Sequence, residues 1–191
     1  FRPATRMLVN DEPTSPRRTP GAGRHIALAI LVLVVGLAAW RGWAWWQARG
    51  EGKRDEQAMT VQRLEALEAI RQLKHRYLNA CDLKEVEVIR ACFASGPITI
   101  DYGPLGCFHD RDSFIALYQS LACQPQVRDS HHGANPEIEL LDEDHARGRW
   151  ALSYFNLDAA TGMTRRLGVM YDDSYRRIDG QWQIVSTRST I

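Results

Sequence analysis

Near Gln124-Pro125 the hydrophobic period of this chain changes from that of a helix to that of a strand, and the change divides the sequence into two kinds of structure. Before it, Leu64, Leu67, Ile70, Leu73, Tyr77, Leu78 and Cys81 recur every three or four residues, the stripe of an amphipathic helix. A second helix is expected over Lys84–Ala94, with Val86, Ile89 and Phe93 on one face and Gly96-Pro97 as its stop. Ile98–Tyr102 reads as a strand, and Asp110 is placed to cap a third helix that runs to Leu121 and buries Phe114, Leu117, Tyr118 and Leu121.

After the change, Ile138 and Leu140 alternate with Glu137 and Glu139, and Asp142-Glu143-Asp144 supplies a turn. Gly148, Trp150, Leu152 and Tyr154 share one face of the next strand. Beyond a turn at Ala160–Gly162, Leu167, Val169, Tyr171, Asp173 and Tyr175 share a face of another. Asp179-Gly180 is a strong hairpin signal, followed by Trp182, Ile184 and Ser186 on a last strand. Helices first, then a strand meander, define an α+β chain with an antiparallel sheet.

The 191 residues are organised as a basic head expected to be disordered (1–25), a candidate transmembrane helix (26–46), a charged linker (47–60) and one domain (61–191). Ile26 to Trp40 is a run without a charged residue, and continuing through Arg41 to Trp46 gives about the 20 residues that span a bilayer. Trp40, Trp43, Trp45 and Trp46 cluster at one end with Arg41, as suits a membrane–water boundary. The arginines before Ile26 favour a cytoplasmic N-terminus, which places the domain across the membrane. An uncleaved anchor is expected rather than a signal peptide, because no small-residue cleavage site follows the apolar run. A chain starting at Met59 would still hold the whole domain, and would be cytoplasmic.

The net charge of +1 conceals a balance of +4 over residues 1–58 and −3 over the remainder. A mildly acidic domain has no electrostatic reason to seek a phosphate backbone, so nucleic acid is not an expected partner. Cys81, Cys92, Cys107 and Cys123 form no C-x-x-C pair and are read as small buried or surface thiols. His109, beside Cys107 and Asp110, lacks the second-ligand spacing of a metal site. No phosphate loop or serine-nucleophile elbow occurs, and no cofactor is implied. Lys74, His75 and Arg76 are expected as a solvated charge run on the first helix.

Three stretches carry a resemblance. They are Ala69 to Asp82 with its Tyr77-x4-Asp82 ending, His131-His-Gly-Ala-Asn135-Pro136 at a strand entry, and the closing hairpin from Tyr171 through Gly180-Gln-Trp182-Gln-Ile184. In order and at these spacings, the domain resembles the SnoaL-like family, within the superfamily of nuclear transport factor 2, ketosteroid isomerase and scytalone dehydratase. The resemblance implies a cone: a curved antiparallel sheet wrapped around three helices, with an apolar pocket in its open end for a small hydrophobic molecule. A dimer or trimer formed through the sheet is a further expectation.

The family hosts several chemistries, so function rests on the site. The resemblance makes Tyr77, Asp82 and His131 catalytic-site positions. His131 and His132 are adjacent and must point to opposite faces. Counting back by twos from Ile138 favours His132, a count that Gly133 and Pro136 can break; the His-x-x-x-Asn match favours His131, which is the residue adopted. A Tyr–Asp–His set fits dehydration or isomerisation next to a carbonyl. The histidine moves protons, the aspartate orients it, and the tyrosine donates to the developing oxyanion. His132, Tyr102, Trp150, Tyr154 and Met170 are expected in the substrate pocket. The expected activity is a cofactor-independent lyase or isomerase acting on an oxygenated ring compound such as a steroid or polyketide. The rival is a non-catalytic binding module tethered to a membrane.

Overall fold

The computed structural model describes residues 22–191. Of the head expected to be disordered, residues 1–21 lie outside the described residues, and 22–25 begin a helix. That helix, α1 (Ala22–Leu83), is 62 residues long. The chain divides into two compact units, residues 1–56 and 57–191, each described here by itself.

In the first unit, Leu28–Gln47 forms a segment of 20 residues with mean hydropathy 1.8 and none of it buried. It is long and apolar enough to cross a bilayer, and Trp40, Trp43, Trp45 and Trp46 are all exposed along it. Residues 47–60, expected as a linker, are helical throughout. Gln, Ala, Arg, Glu, Lys and Met are good helix formers, no proline interrupts them, and Gly50 and Gly52 weaken the helix without ending it.

In the second unit, α1 buries Ile70, Leu73, Tyr77, Leu78 and Cys81, while Leu64 at the start of the expected stripe stays exposed. Helix α2 (Val86–Cys92) is shorter than expected and buries Ile89 and Cys92. Strand β1 (Thr99–Asp101), a single 3-10 turn (Gly103–Leu105) and a short strand β2 (Cys107–Phe108) follow; the last two were not anticipated. Helix α3 (Arg111–Ala122) is capped by Asp110, whose Oδ1 accepts the Ser113 N–H at 2.8 Å. The long strands are β3 (Val127–Leu140), β4 (His145–Asp158), β5 (Met163–Ile178) and β6 (Gln181–Thr190). They build a six-stranded curved sheet in the order β2-β1-β6-β5-β4-β3. The meander is antiparallel as expected, but β1 joins β6 in parallel, so the sheet is mixed.

The two faces of the sheet differ in kind. The inner face carries Trp150, Leu152, Val169, Tyr171, Tyr175, Trp182 and Ile184, all buried in the core with α1 and α2 residues such as Ile70 and Phe93. Across the outer face runs a row of alternating charge in register, Glu137–Arg149–Asp172–Arg188–Asp101. Arg149 Nε donates to Asp172 at 3.0 Å and Arg188 Nε to Asp101 at 3.1 Å. Such exposed pairs add little stability each, but opposite charges directly across neighbouring strands favour this register.

Two bulges set which residues face inward. In β6 the register shifts between Ile184 and Ser186, so Thr187 rather than Ser186 continues the buried face of Trp182 and Ile184. In β3, Asn135 and Pro136 stand where β4 has only Trp150, and Asn135 takes a left-handed φ of 52°. Upstream of that bulge the parity of β3 is inverted.

The charge run on α1 needs a correction. His75 and Arg76 are exposed, but Lys74 is completely buried and its Nζ donates to Asp173 Oδ2 at 2.8 Å. Positions 73 and 74 both fall on the covered side of the helix, and a lysine can occupy it because the sheet supplies a carboxylate there.

Candidate functional site

The site forms where the end of α1 meets the edge of the sheet. Strand β3 is the last in the sheet, so half of its backbone N–H groups point away from any strand partner. Asp82 supplies one: its Oδ2 accepts the His131 N–H at 3.0 Å. Its Oδ1 lies 2.6 Å from Nδ1 of the same histidine. An ionised carboxylate only accepts, so Nδ1 is the donor, and in the neutral imidazole Nε2 keeps a free lone pair. The two side chains are 26% and 15% exposed, and Nε2 has no hydrogen-bond partner among the described residues. An imidazole oriented at one nitrogen and unspent at the other can give or take a proton.

The bulge explains why His131 rather than His132 takes this place. Below Asn135-Pro136 the inverted parity turns Gly133, His131 and Asp129 inward, opposite Leu152, Tyr154 and Asn156. His132 is exposed on the outer face and lies 3.2 Å from the Ser130 hydroxyl through its Nε2. A Cβ at Gly133 on the inner face would stand 2.6 Å from Leu78 Cδ1, so any side chain there would displace the end of Leu78.

Tyr77 is 4% exposed, and its hydroxyl lies 2.7 Å from that of Tyr102 rather than against the Asp82–His131 pair. Burial, reinforced by Tyr102, pushes the Tyr77 hydroxyl well above its ordinary pKa, so it stays protonated. When one hydroxyl of such a pair donates to the other, the acceptor's own hydrogen remains available to a third group. Trp150 is fully buried, and its indole N–H donates to Tyr175 at 2.9 Å, which makes it a core residue. Tyr154 lies against His131, ring centroids 4.7 Å apart, with its hydroxyl donating to Asp129 at 2.6 Å. Met170 is 41% exposed and alternates with inward-facing Val169 and Tyr171, so it stands on the outer face. Of the expected set, then, Asp82, His131 and Tyr154 come together; Tyr77 and Tyr102 form a second pair; His132, Trp150 and Met170 lie elsewhere.

Sequence reasoning missed Lys84 and Asp129. Asp129 is 3% exposed and takes an ion pair from Lys84 together with hydrogen bonds from Tyr154 and from Asn156 at 2.8 Å. Burial alone would raise its carboxyl, but the donors from Lys84, Tyr154 and Asn156 outweigh burial and hold it below the ordinary carboxylate value. Its place two residues before His131, hence on the same face, was the available signal. Lys84 terminates α1 with a left-handed φ of 62°, where glycine is usual and another residue costs about 1–2 kcal/mol.

Fold and site together define a small α+β cone protein with an aspartate–histidine pair on its inner face. The model of the SnoaL-like domain family matches residues 62–188, and the chain belongs to that family. Solved structures share the fold at low identity. A putative scytalone dehydratase from Novosphingobium aromaticivorans DSM 12444 is 22% identical, with TM-score 0.63, over 69% of this chain and 89% of that one. The hexachlorocyclohexane dehydrochlorinase LinA-type3 from Novosphingobium barchaimii LL02 is 17% identical, with TM-score 0.61, over 68% of this chain and 88% of that one. A protein of unknown function from Pseudomonas putida KT2440, resembling nuclear transport factor 2, is 20% identical, with TM-score 0.57, over 66% and 87%.

Proposed function

We propose that this protein is a cofactor-independent lyase or isomerase that transfers protons on a small hydrophobic, oxygenated ring compound of steroid or polyketide type. The observation that carries the reading is the double engagement of His131 by Asp82, at Nδ1 and at the backbone N–H, with Nε2 unspent. In the proposed reaction Nε2 removes the proton alpha to a carbonyl, and the C–H electron pair forms the enolate. The oxyanion takes a hydrogen bond from the Tyr77–Tyr102 hydroxyl pair. In a dehydration, the enolate collapses with loss of the beta hydroxyl, which leaves as water with the proton returned from the imidazolium. In an isomerisation, the same proton returns to another carbon. Asp82 stabilises the imidazolium between the two steps.

The fold relatives described as a scytalone dehydratase and a dehydrochlorinase support an elimination reaction. His131→Ala is expected to lower kcat by about 10²–10⁴ on a panel of hydroxylated cyclic ketones, followed by absorbance of the conjugated product, with KM little changed. Turnover by that variant at the wild-type rate would overturn the reading.

The exposed apolar segment Leu28–Gln47 supports a membrane tether for this enzyme. The full chain is expected to sediment with membranes and resist carbonate extraction; a chain that stays in solution without detergent would refute the tether.

A further inference from the structure

Both carboxylate oxygens of Asp129 are engaged by neighbouring side chains. Its Oδ1 accepts from Tyr154 at 2.6 Å and Asn156 at 2.8 Å, and its Oδ2 is taken by Lys84. What the cluster does is join parts. Lys84 follows Asp82 by two residues at the end of α1, and Asp129 precedes His131 by two on the inner face of β3. The ion pair therefore fastens the helix end that presents Asp82 to the strand that presents His131. A second link runs through Tyr154, whose ring lies 4.7 Å from the imidazole and whose hydroxyl is the one Asp129 holds. A third sign is conformational: Lys84 occupies a left-handed position that glycine would take without strain, yet only a long cationic side chain reaches Asp129 from there. Lys84 is also steadied from α3, lying 5.9 Å from the Tyr118 ring, while the Tyr118 hydroxyl donates to the Cys81 carbonyl at 2.7 Å.

We infer that Lys84, Asp129 and Tyr154 are positioning residues that fix the orientation of the His131 imidazole, so that Nε2 is aimed at the bound molecule. The inference rests on the reading of His131 as the proton-transferring group.

The test is the double variant K84M/D129N in the full-length protein, which removes both charges at once and leaves no buried carboxylate without its cation. Its thermal denaturation is expected close to that of the wild type, while kcat falls about tenfold to a hundredfold through misorientation of the base. KM is expected to change by less than about threefold, since binding contacts are untouched. Lys84→Arg, which keeps charge and reach, should retain most of the activity. In the same samples the ring ¹⁵N shifts of His131 report its tautomer without any need for turnover. The wild type should show one tautomer protonated at Nδ1, and the double variant an average of two. If the double variant unfolds, Tyr154→Phe keeps the ring but cuts its link to Asp129, and is read by the same two measurements. Wild-type kcat together with wild-type ring shifts overturns the inference, even if His131→Ala is inactive. Full turnover by His131→Ala overturns the reaction instead, and the ring shifts alone then decide the positioning role.

Discussion

Two clusters of charge stand on the inner face of the sheet, and they are finished differently. Around Lys74 every group is used: Asp173 accepts from Lys74 at 2.8 Å, Tyr175 at 2.7 Å and Thr187 at 2.6 Å. The Lys74 ammonium also lies 3.7 Å from the centre of the Tyr171 ring, and both charged side chains are wholly buried. At Asp82–His131 the pair is partly open, and one ring nitrogen has no partner among the described residues. A carboxylate paired with a basic side chain is thus common to both and marks neither as a site. The distinguishing feature is an unspent polar atom held in place by spent ones.

The largest effect that tests this contrast is on stability. Lys74→Met leaves the Asp173 carboxylate buried without its cation, and is expected to cost about 3–5 kcal/mol in urea denaturation. His131→Ala, despite its loss of rate, should lie within about 1 kcal/mol of the wild type in the same measurement, because its partners are reached by water. If both variants lost equal stability, the two clusters would be equivalent structural devices and the contrast would fail.

A smaller effect concerns pH. The Asp129 carboxyl titrates below its ordinary 3.8 in the folded protein, because its donors outweigh its burial. A depressed folded value adds stability that is complete above the unfolded pKa and disappears as pH falls through the folded one. Asp129→Asn should therefore flatten the decline in stability below about pH 4 and leave its slope near neutrality unchanged. An identical acid limb in the variant would show that Asp129 gains nothing from Lys84.

The smallest effect is chemical. Burial pushes the Cys81 thiol up to about 12 and the Cys92 thiol up to about 11, so neither forms thiolate near neutrality. Cys107 is exposed and Cys123 half-buried. Maleimide labelling followed by mass spectrometry should modify Cys107 first, then Cys123, and reach Cys81 and Cys92 only on unfolding. Early labelling of Cys81 would mean that the end of α1 opens readily, against the fastening assigned to Lys84.

What was legible in the sequence was local. The Asp110 cap, the Asp179-Gly180 turn and the alternation through Trp150 or Tyr171 depend on neighbours within one or two turns of chain, and each is found in the fold. What was not legible depends on distant partners. Lys74 is a solvated charge by its own neighbourhood and a buried one only because Asp173, ninety-nine residues on, meets it. The exchange of Ser186 for Thr187 follows from a bulge that no turn residue announces. For His131, spacing between matching residues crossed the bulge safely where parity did not, because it does not assume a regular strand. The polar stretch 47–60 is helical although it contains Gly50 and Gly52, because isolated glycines lower helix propensity by only about 1 kcal/mol each and the residues around them favour a helix.

The bulge at Asn135-Pro136 also decides where this strand can change length without harm. Two residues stand there against Trp150 alone, while the pairs on either side, Ala134 with Ala151 and Glu137 with Arg149, keep their places. Removing one of the two would leave a regular ladder with Gly133, His131 and Asp129 still opposite Leu152, Tyr154 and Asn156, and so still inward. Removing a residue between His131 and Asn135 would instead slide the segment before it by one position, put Ser130 opposite Tyr154 and turn His131 outward. Related chains that differ in length at the bulge can therefore keep this site, and chains that differ just before it lose it.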